Sequence, residues 1–121
     1  MKNNSTAKSI LVIDDEKPIL KLLTRSLSKH GYDVDTAENG KEGIRKIENN
    51  DYSLILTDIK MPDVSGNQIL DHLRNKINCS TPVVGMSGTP WLLDQSDFNA
   101  VLQKPYSLKD LLGVIHQFAE K

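Results

Sequence analysis

The sequence predicts a doubly wound α/β fold, a parallel sheet with helices on both faces. Five short segments rich in aliphatic residues alternate with segments whose apolar residues recur at helical spacing. Most of the strand-like segments are apolar throughout, as strands buried on both faces are. Strand and helix alternating in this way favour one parallel sheet. The 121 residues suffice for a single domain, residues 1–121, with a core expected over about 8–119.

The first strand–helix unit opens with Ser9–Ile13, an apolar run that predicts a buried strand. Pro18 then stands where the first turn of a helix tolerates proline, and apolar residues follow at helical spacing. Gly31 is placed to end this helix, because glycine readily adopts the left-handed conformation after a last helical turn.

The second unit begins with Tyr32–Thr36, in which polar and apolar residues alternate. Alternation indicates a strand at the edge of the sheet, so we expect the strand order 2-1-3-4-5. Asn39 can cap the helix that follows, and Ile44 and Ile47 of this helix are predicted to face the core.

The remaining units repeat the pattern. Leu54–Thr57, Pro82–Met86 and Ala100–Leu102 predict the third, fourth and fifth strands. The last helix is predicted to begin after Ser107, because Asp110 stands at the spacing of a capping box.

Composition excludes several classes of function. The chain has 15 basic and 16 acidic residues, and its basic residues are scattered singly along the sequence. We therefore expect no direct nucleic-acid binding and no membrane binding, which need a basic surface. Cys79 is the single cysteine and cannot form an internal disulfide. With no signal-like start and no apolar run near the ~18 residues of a membrane span, we expect a cytoplasmic protein.

Polar residues follow four of the predicted strands: Asp14 and Asp15, Asp58, Ser87 and Lys104. The carboxyl ends of parallel strands meet at one edge, where such sheets bind ligands. Three carboxylates there would repel one another unless a divalent cation such as Mg²⁺ bound them. A lysine and a hydroxyl can bind phosphoryl oxygens. The set predicts a phosphoryl-transfer site with a carboxylate as nucleophile.

Each of these residues also has a purely structural interpretation. Asp14 or Asp15 could be a helix N-cap, Asp58 a turn residue before Pro62, and Lys104 a solvated strand end. Their coincidence at successive strand ends, in the order acid pair, acid, hydroxyl, lysine, favours the site.

With these motifs the chain resembles the receiver domains of bacterial two-component response regulators, which have a flavodoxin-like three-layer (βα)5 sandwich. The resemblance covers about Lys8 to Ala119, and the stretch D-x-x-M-P-x-x-x-G carries it most specifically. Its features are Asp14-Asp15 in "LVIDDE", Asp58 in "LILTDIKMPDVSG", Ser87, and Lys104-Pro105.

The resemblance implies phosphorelay signalling. Asp58 would accept a phosphoryl group from a phosphohistidine on a sensor histidine kinase or a histidine phosphotransfer protein. Mg²⁺ would be bound by Asp15, Asp58 and the backbone carbonyl of Lys60, with Asp14 acting largely through water. Phosphorylation would then switch contacts with a downstream protein or with an effector in the same chain.

The resemblance also implies roles around the phosphoryl group. Lys104 would hold one phosphoryl oxygen, and Ser87 would bind another after transfer. Gly88 would leave the site open to a bulky donor, whereas Lys60 and Thr89 would line the approach of hydrolytic water and tune the lifetime. The protein would assist its own phosphorylation and dephosphorylation and would not be an enzyme for a separate substrate.

Two features depart from the family pattern. Val101 stands where relatives usually carry Tyr or Phe, an aromatic that turns inward on phosphorylation. Only sixteen residues separate Ser87 from Lys104, which leaves the fourth helix at most ~2 turns. A shortened fourth helix puts in doubt the dimer that relatives commonly form through the fourth helix, fifth strand and last helix.

Two other functions remain open. Val101 and the short fourth helix favour a protein-binding scaffold whose output is independent of phosphorylation or weakly coupled to it. An aspartyl phosphatase is disfavoured, because its second acid would stand where Lys60 is and no cap domain is present. Few residues follow the last helix, so we expect output through the surface of the domain.

Overall fold

The computed structural model describes residues 8–89 and 97–120. In these residues five parallel strands form one sheet in the order β2-β1-β3-β4-β5, which confirms the predicted doubly wound fold and the edge position of β2. The strands are β1 (Ser9–Ile13), β2 (Asp33–Ala37), β3 (Leu54–Asp58), β4 (Val83–Ser87) and β5 (Ala100–Gln103), and the α-helices are α1 (Lys17–Lys29), α2 (Gly40–Asn49), α3 (Gly66–Asp71) and α4 (Leu108–Ala119).

Helices cover both faces of the sheet and bury a separate apolar cluster on each. On one face, Ile10 and Val12 of β1 pack with residues of α1 and α4. On the other, Leu11 and Ile13 pack with residues of α2 and α3. Successive residues of a strand point to opposite faces of the sheet, and helices cover both faces here. All four side chains are therefore fully buried. This arrangement explains why the first strand is apolar at every position.

The predicted helix boundaries are confirmed. Pro18 lies in the first turn of α1, and Gly31 follows the end of that helix with a φ of +90°. The side chain of Asn39 caps α2 by accepting from the backbone N–H of Glu42. Ser107 and Asp110 form the predicted capping box of α4.

Four strands differ by one residue from their predicted bounds. β2 (Asp33–Ala37) and β4 (Val83–Ser87) are shifted by one residue, so Ser87 is the last residue of its strand, and β3 and β5 each end one residue later than predicted. The shortened fourth helix, predicted between Ser87 and Lys104, falls on residues 90–96, outside the described residues. None of the helices in the described ranges is long and apolar enough to cross a membrane.

A π-helical turn, His72–Lys76, follows α3 directly and was not predicted. Its Arg74 donates through Nη1 to the backbone carbonyls of Cys79 and Thr81, at 2.9 and 2.8 Å. Nη2 of Arg74 donates to Oδ1 of Asn99 at 3.1 Å. One guanidinium therefore holds the segments that lead into β4 and β5, at the end of the sheet opposite the strand carboxyl ends.

Side chains form hydrogen bonds with backbone groups on the free edge of β2. The backbone of Thr36 points away from β1, and its N–H donates to Oδ1 of Asp35 while its carbonyl accepts from the Lys46 ammonium. Asp35 also accepts from Lys46 at 2.8 Å and from the Tyr52 hydroxyl at 2.7 Å. Although burial alone would raise the pKa of Asp35, these two partners hold it below its usual value.

Candidate functional site

Four predicted site residues meet at the carboxyl edge of the sheet. Asp14 directly follows β1, Asp58 ends β3, and Ser87 ends β4. Lys104 directly follows β5, and its backbone N–H donates to the carbonyl of Ser87 at 2.8 Å. The parallel register of neighbouring strands therefore brings together residues that are up to ninety positions apart in the sequence.

Lys104 lies between two buried carboxylates. Its ammonium Nζ is 3.2 Å from Oδ1 of Asp58 and 3.9 Å from Oδ2 of Asp14. Asp58 is 6% exposed and Asp14 is fully buried, whereas Lys104 is half-buried. A cation held against acids that are removed from water is a strong electrostatic contact and fixes the lysine at the site.

Asp14 has one oxygen without a hydrogen-bond partner. Its Oδ1 accepts from the backbone N–H of Glu16 at 2.9 Å, but its buried Oδ2 accepts no hydrogen bond in the described part of the chain. The N-cap of α1 is Glu16, so neither Asp14 nor Asp15 fills the helix-capping position. A buried oxygen of this kind is costly unless a ligand satisfies it.

Burial raises the pKa of Asp14 to about 6, and the neighbouring charge of Asp58 adds to this effect. Burial also raises the pKa of Asp58; the Lys104 ammonium opposes that rise, and the negative charge of Asp15 adds to it. Both carboxylates would therefore be stabilised in their charged forms by an additional cation.

The acidic residues fit a hard divalent cation. Carboxylate oxygens of Asp14, Asp15 and Glu16 lie within 4.8 Å of one another, and Asp15 and Glu16 are exposed. Glu16 was not among the predicted ligands. Asp58 is not one of these three residues, but the negative charge of Asp15 contributes to raising the pKa of Asp58. Oxygen donors around the unsatisfied Oδ2 of Asp14 are the ligands that Mg²⁺ prefers.

The residues after β4 are arranged around the Ser87 hydroxyl. Ser87 is 5% exposed, and its Oγ accepts from the backbone N–H of Thr89 at 3.0 Å. At Gly88 an added Cβ would meet no atom of the described residues within 4 Å, so none of these residues fills the space beside Ser87. Lys60, two residues after Asp58, is exposed at the surface.

The loop between β3 and α3 packs tightly on the start of α2. Asp63 accepts from the backbone N–H of Gly40 at 3.2 Å and from that of the next residue at 3.0 Å. A Cβ at Gly40 would lie only 2.5 Å from the Cβ of Val64, and one at Gly66 would lie 2.9 Å from the carbonyl oxygen of Asp58. The loop that follows Asp58 is thus fixed at both ends.

Tyr106 is a site neighbour that was not predicted from the sequence. Its hydroxyl donates to Sδ of Met86 at 3.3 Å. Burial raises the pKa of Tyr106 to about 12, and the charges of Asp14 and Asp58 contribute. The signal in the sequence was its position, two residues after the site lysine. Val101, by contrast, is half-buried and packs against the apolar cluster under α2 and α3.

An apolar groove of about 400 Å³ opens beside Lys104, between α1 and the loop that precedes α4. Leu22 in its wall is 58% exposed, which is unusual for a large aliphatic side chain. The groove is lined mainly by Ile19, Leu22, Leu23, Pro105 and Tyr106.

Comparisons with known proteins agree with this geometry. A family model described as "Response regulator receiver domain" matches residues 10–116. Protein PilG of Pseudomonas aeruginosa is 35% identical over 121 residues, which cover 95% of this chain and 90% of PilG. Sensor protein EvgS of Escherichia coli O157:H7 is 34% identical over 119 residues, 92% of this chain. The chain spans only 10% of the length of EvgS.

Solved structures show the same fold. The response regulator protein TrrA from Thermotoga maritima, in complex with Mg²⁺-BeF, superposes with a TM-score of 0.82 at 30% sequence identity. The match covers 92% of this chain and 98% of TrrA. A response regulator receiver domain protein from Clostridium thermocellum gives a TM-score of 0.83 at 32% identity over 93% of this chain and 94% of that one.

Proposed function

The chain belongs to the response regulator receiver domains, and from that premise we propose that it is a phosphorylation-controlled switch in a cytoplasmic phosphorelay. Asp58 accepts a phosphoryl group from a phosphohistidine of a sensor histidine kinase or a histidine phosphotransfer protein. The observation that carries this proposal is the Lys104 ammonium, held 3.2 Å from Asp58 and beside the unsatisfied buried oxygen of Asp14.

In the proposed reaction, a carboxylate oxygen of Asp58 forms a bond to phosphorus while the bond from phosphorus to the donor imidazole nitrogen breaks. The electron pair of that bond remains on the imidazole, which takes up a proton. Lys104 is already positioned to bind a phosphoryl oxygen and to offset negative charge as it develops. The product is an acyl phosphate, and attack by water releases phosphate and restores the carboxylate.

The acids at the strand ends give the protein a place for Mg²⁺. When bound, this ion offsets the charge of the phosphoryl group and of the carboxylates around it. Asp14, Asp15, Asp58 and the backbone carbonyl of Lys60 would hold it. The complex of TrrA with Mg²⁺-BeF supports the same use of the site here.

After transfer, the hydroxyl of Ser87 donates to a second phosphoryl oxygen, and its oxygen can still accept from the Thr89 N–H as it does now. By their resemblance to family positions, Thr89 and Lys60 would line the approach of water to the acyl phosphate and tune its lifetime. The chemistry is confined to Asp58 of the protein itself, with no separate substrate turned over.

The phosphodonor would dock on the apolar groove beside Lys104. Leu22 supplies an exposed aliphatic surface there, and Tyr106 lines the groove while lying near enough to Asp14 and Asp58 for their charges to contribute to its raised pKa. A donor seated on this surface would lie beside Lys104, whose ammonium contacts Asp58.

The test is phosphorylation by a small donor. Acetyl phosphate with MgCl₂ should add one phosphoryl group to the intact protein, as measured by mass spectrometry. Asp58→Asn should stay unmodified, and EDTA should suppress the reaction of the wild type. A wild-type mass that remains unchanged, under conditions in which a known receiver is modified, would contradict the proposal.

A second candidate, a scaffold whose contacts do not depend on phosphorylation, is favoured by Val101, which offers no aromatic ring to turn inward. Beryllofluoride with Mg²⁺ distinguishes the two. Amide shifts that extend from the site to β5 and α4 support a switch, whereas shifts confined to the strand ends support the scaffold.

A further inference from the structure

Helix α1 gathers basic residues that are isolated in the sequence. Lys17, Lys21 and Arg25 are spaced by four residues, so they form one row along the helix. α1 carries Lys29 as well and no acidic residue, whereas the chain as a whole has a net charge of −1. Basic residues that are scattered singly in the sequence therefore come together on this side of α1.

The row lines a surface groove of about 480 Å³ between α1 and the carboxyl end of β2. Leu20 contributes an apolar, buried floor, and Thr24, Ser28 and Thr36 contribute hydroxyl groups. Glu38 stands at the site end of the groove. Such a groove can contact apolar side chains of a bound peptide with its floor, and acidic side chains of the peptide with its cations and hydroxyls.

The charges of the row are largely uncompensated. Lys17 lies 3.8 Å from Glu38, and both side chains are well exposed, at 70% and 55%. Lys21 and Arg25 are exposed and form no salt bridge within the residues that the structure describes. Like charges four residues apart destabilise a helix. Neither Lys21 nor Arg25 stabilises the fold through a salt bridge within the described ranges, which favours a role for the row in binding.

We propose that the basic row binds an acidic helical segment of a protein partner. From Lys17 to Arg25 the row runs ~12 Å along α1, so it matches acidic residues repeated every four positions on a facing helix. Asp15 and Glu16 lie just before its first residue and Glu38 lies beside it. These acids would repel a uniform polyanion such as DNA or an anionic membrane. A helix with one row of acidic residues can still pair with the single row of cations on α1.

This surface differs from the apolar groove proposed for the phosphodonor. The apolar groove uses Ile19, Leu22 and Leu23 of α1, whereas the basic row uses other positions of the same helix. The proposal therefore goes beyond phosphorylation at Asp58, and either one can fail without the other.

The test uses two synthetic helical peptides of about 18 residues, long enough to be helical in water. One carries Glu at every fourth position, and the other has the same composition with its Glu residues spread around the helix. Titrated into the ¹⁵N-labelled protein, the first should shift amides of α1 and of residues 36–38 to saturation. It should bind about tenfold more tightly than the second, because only its charges match the row.

The variant K21E/R25E should bind the row peptide about tenfold or more weakly. K76E/K109E, which changes two exposed lysines elsewhere by the same total charge, should bind it nearly as the wild type does. Amide spectra establish that both variants are folded, and Lys21→Ala with Arg25→Ala replaces the first variant if it is not. Phosphorylation by acetyl phosphate should be unchanged in both variants, which keeps this test separate from that of Asp58.

Equal binding of the two peptides, or an equal loss in both variants, would overturn the proposal, since either result means general attraction between charges. Tighter binding of a DNA duplex or of phosphatidylserine vesicles than of the row peptide would overturn it in favour of that other class of partner.

Discussion

The ammonium of Lys104 lies 3.2 Å from Oδ1 of Asp58, a residue 46 positions earlier in the chain. The contact holds a positive charge at the place where the proposed reaction would bind a phosphoryl oxygen. It also opposes the effect of burial on Asp58, and so favours the ionised carboxylate that the reaction needs. In the proposed reaction, a single side chain would thereby prepare the nucleophile and stabilise the charge that forms.

Replacing Lys104 should therefore slow phosphorylation of Asp58. We expect Lys104→Met to react with acetyl phosphate about 100-fold more slowly, the usual size of the loss when one positioned charge is removed from a reacting phosphoryl group. A time course of intact mass measures the rate. Lys109→Met, at an exposed position of α4, is the matched control and should react at the wild-type rate. Equal rates for the two variants would contradict the role given to Lys104.

The stability of the metal-free protein should fall as pH rises through the titration of Asp14. Burial raises the pKa of Asp14 from 3.8 to about 6, so the folded state binds this proton more tightly than the unfolded chain does. The contribution of Asp14 is thus fully present below 3.8 and lost as pH approaches about 6, at about 1.4 kcal/mol for each pKa unit.

Asp14→Asn should remove this dependence. Urea unfolding in EDTA should show the variant more stable than the wild type near neutral pH, with a smaller difference near about pH 4. Added MgCl₂ should raise the Tm of the wild type and not of Asp14→Asn, because the ion binds only the folded site. A wild type whose Tm is insensitive to MgCl₂ would contradict the assignment of the metal site.

Replacement by alanine should destabilise the protein at one glycine near the site and have little effect at another. At Gly40 the new Cβ would lie 2.5 Å from that of Val64, and at Gly88 it would meet no atom of residues 8–89 or 97–120 within 4 Å. We expect Gly40→Ala to cost about 1–3 kcal/mol, as overpacking does, and Gly88→Ala to change stability by less than about 0.5 kcal/mol. Chemical denaturation of both variants measures this. Similar stabilities of the two variants would show that the loop after Asp58 can shift away from α2 at little cost in free energy.

The edge of β2 should depend on the charge of Asp35. Its pKa lies below the usual value, so the contribution to stability is present above about 4, the pKa of an unfolded aspartate, and is lost as pH falls through the lower folded pKa. Tyr52→Phe removes one hydrogen bond to this carboxylate and should cost about 1 kcal/mol at neutral pH. Denaturation at neutral and at acid pH tests this, since the cost should shrink in acid. If the cost of Tyr52→Phe is the same at neutral and at acid pH, the loss of stability comes from packing and not from the charge of Asp35.

The sequence was sufficient to predict the sheet and the four residues at its carboxyl edge. Local signals specified these elements: apolar runs for the central strands, Asn39 and Ser107 for helix starts, and Gly31 for a helix end. Once the strands are parallel, the convergence of Asp14, Asp58 and Lys104 follows from topology alone.

Contacts between side chains distant in sequence were not predictable in the same way. Arg74 bonds to Asn99 across 25 positions, and nothing in the local pattern marks either residue. Tyr106 occupies an ordinary loop position until the fold places it beside Met86. The row that contains Lys21 was hidden because residues four apart look scattered in a sequence and adjoin only on a helix.

Helix α1 presents unlike chemistry on neighbouring sides, with Leu22 exposed in an apolar groove and Lys21 in a basic one. A substitution that alters one side leaves the shape and charge of the other intact. The two proposed recognition surfaces can therefore diverge separately after gene duplication, although thirteen residues of one helix contribute to both. A copy of this domain could exchange one partner for another in a few mutations without losing its second contact.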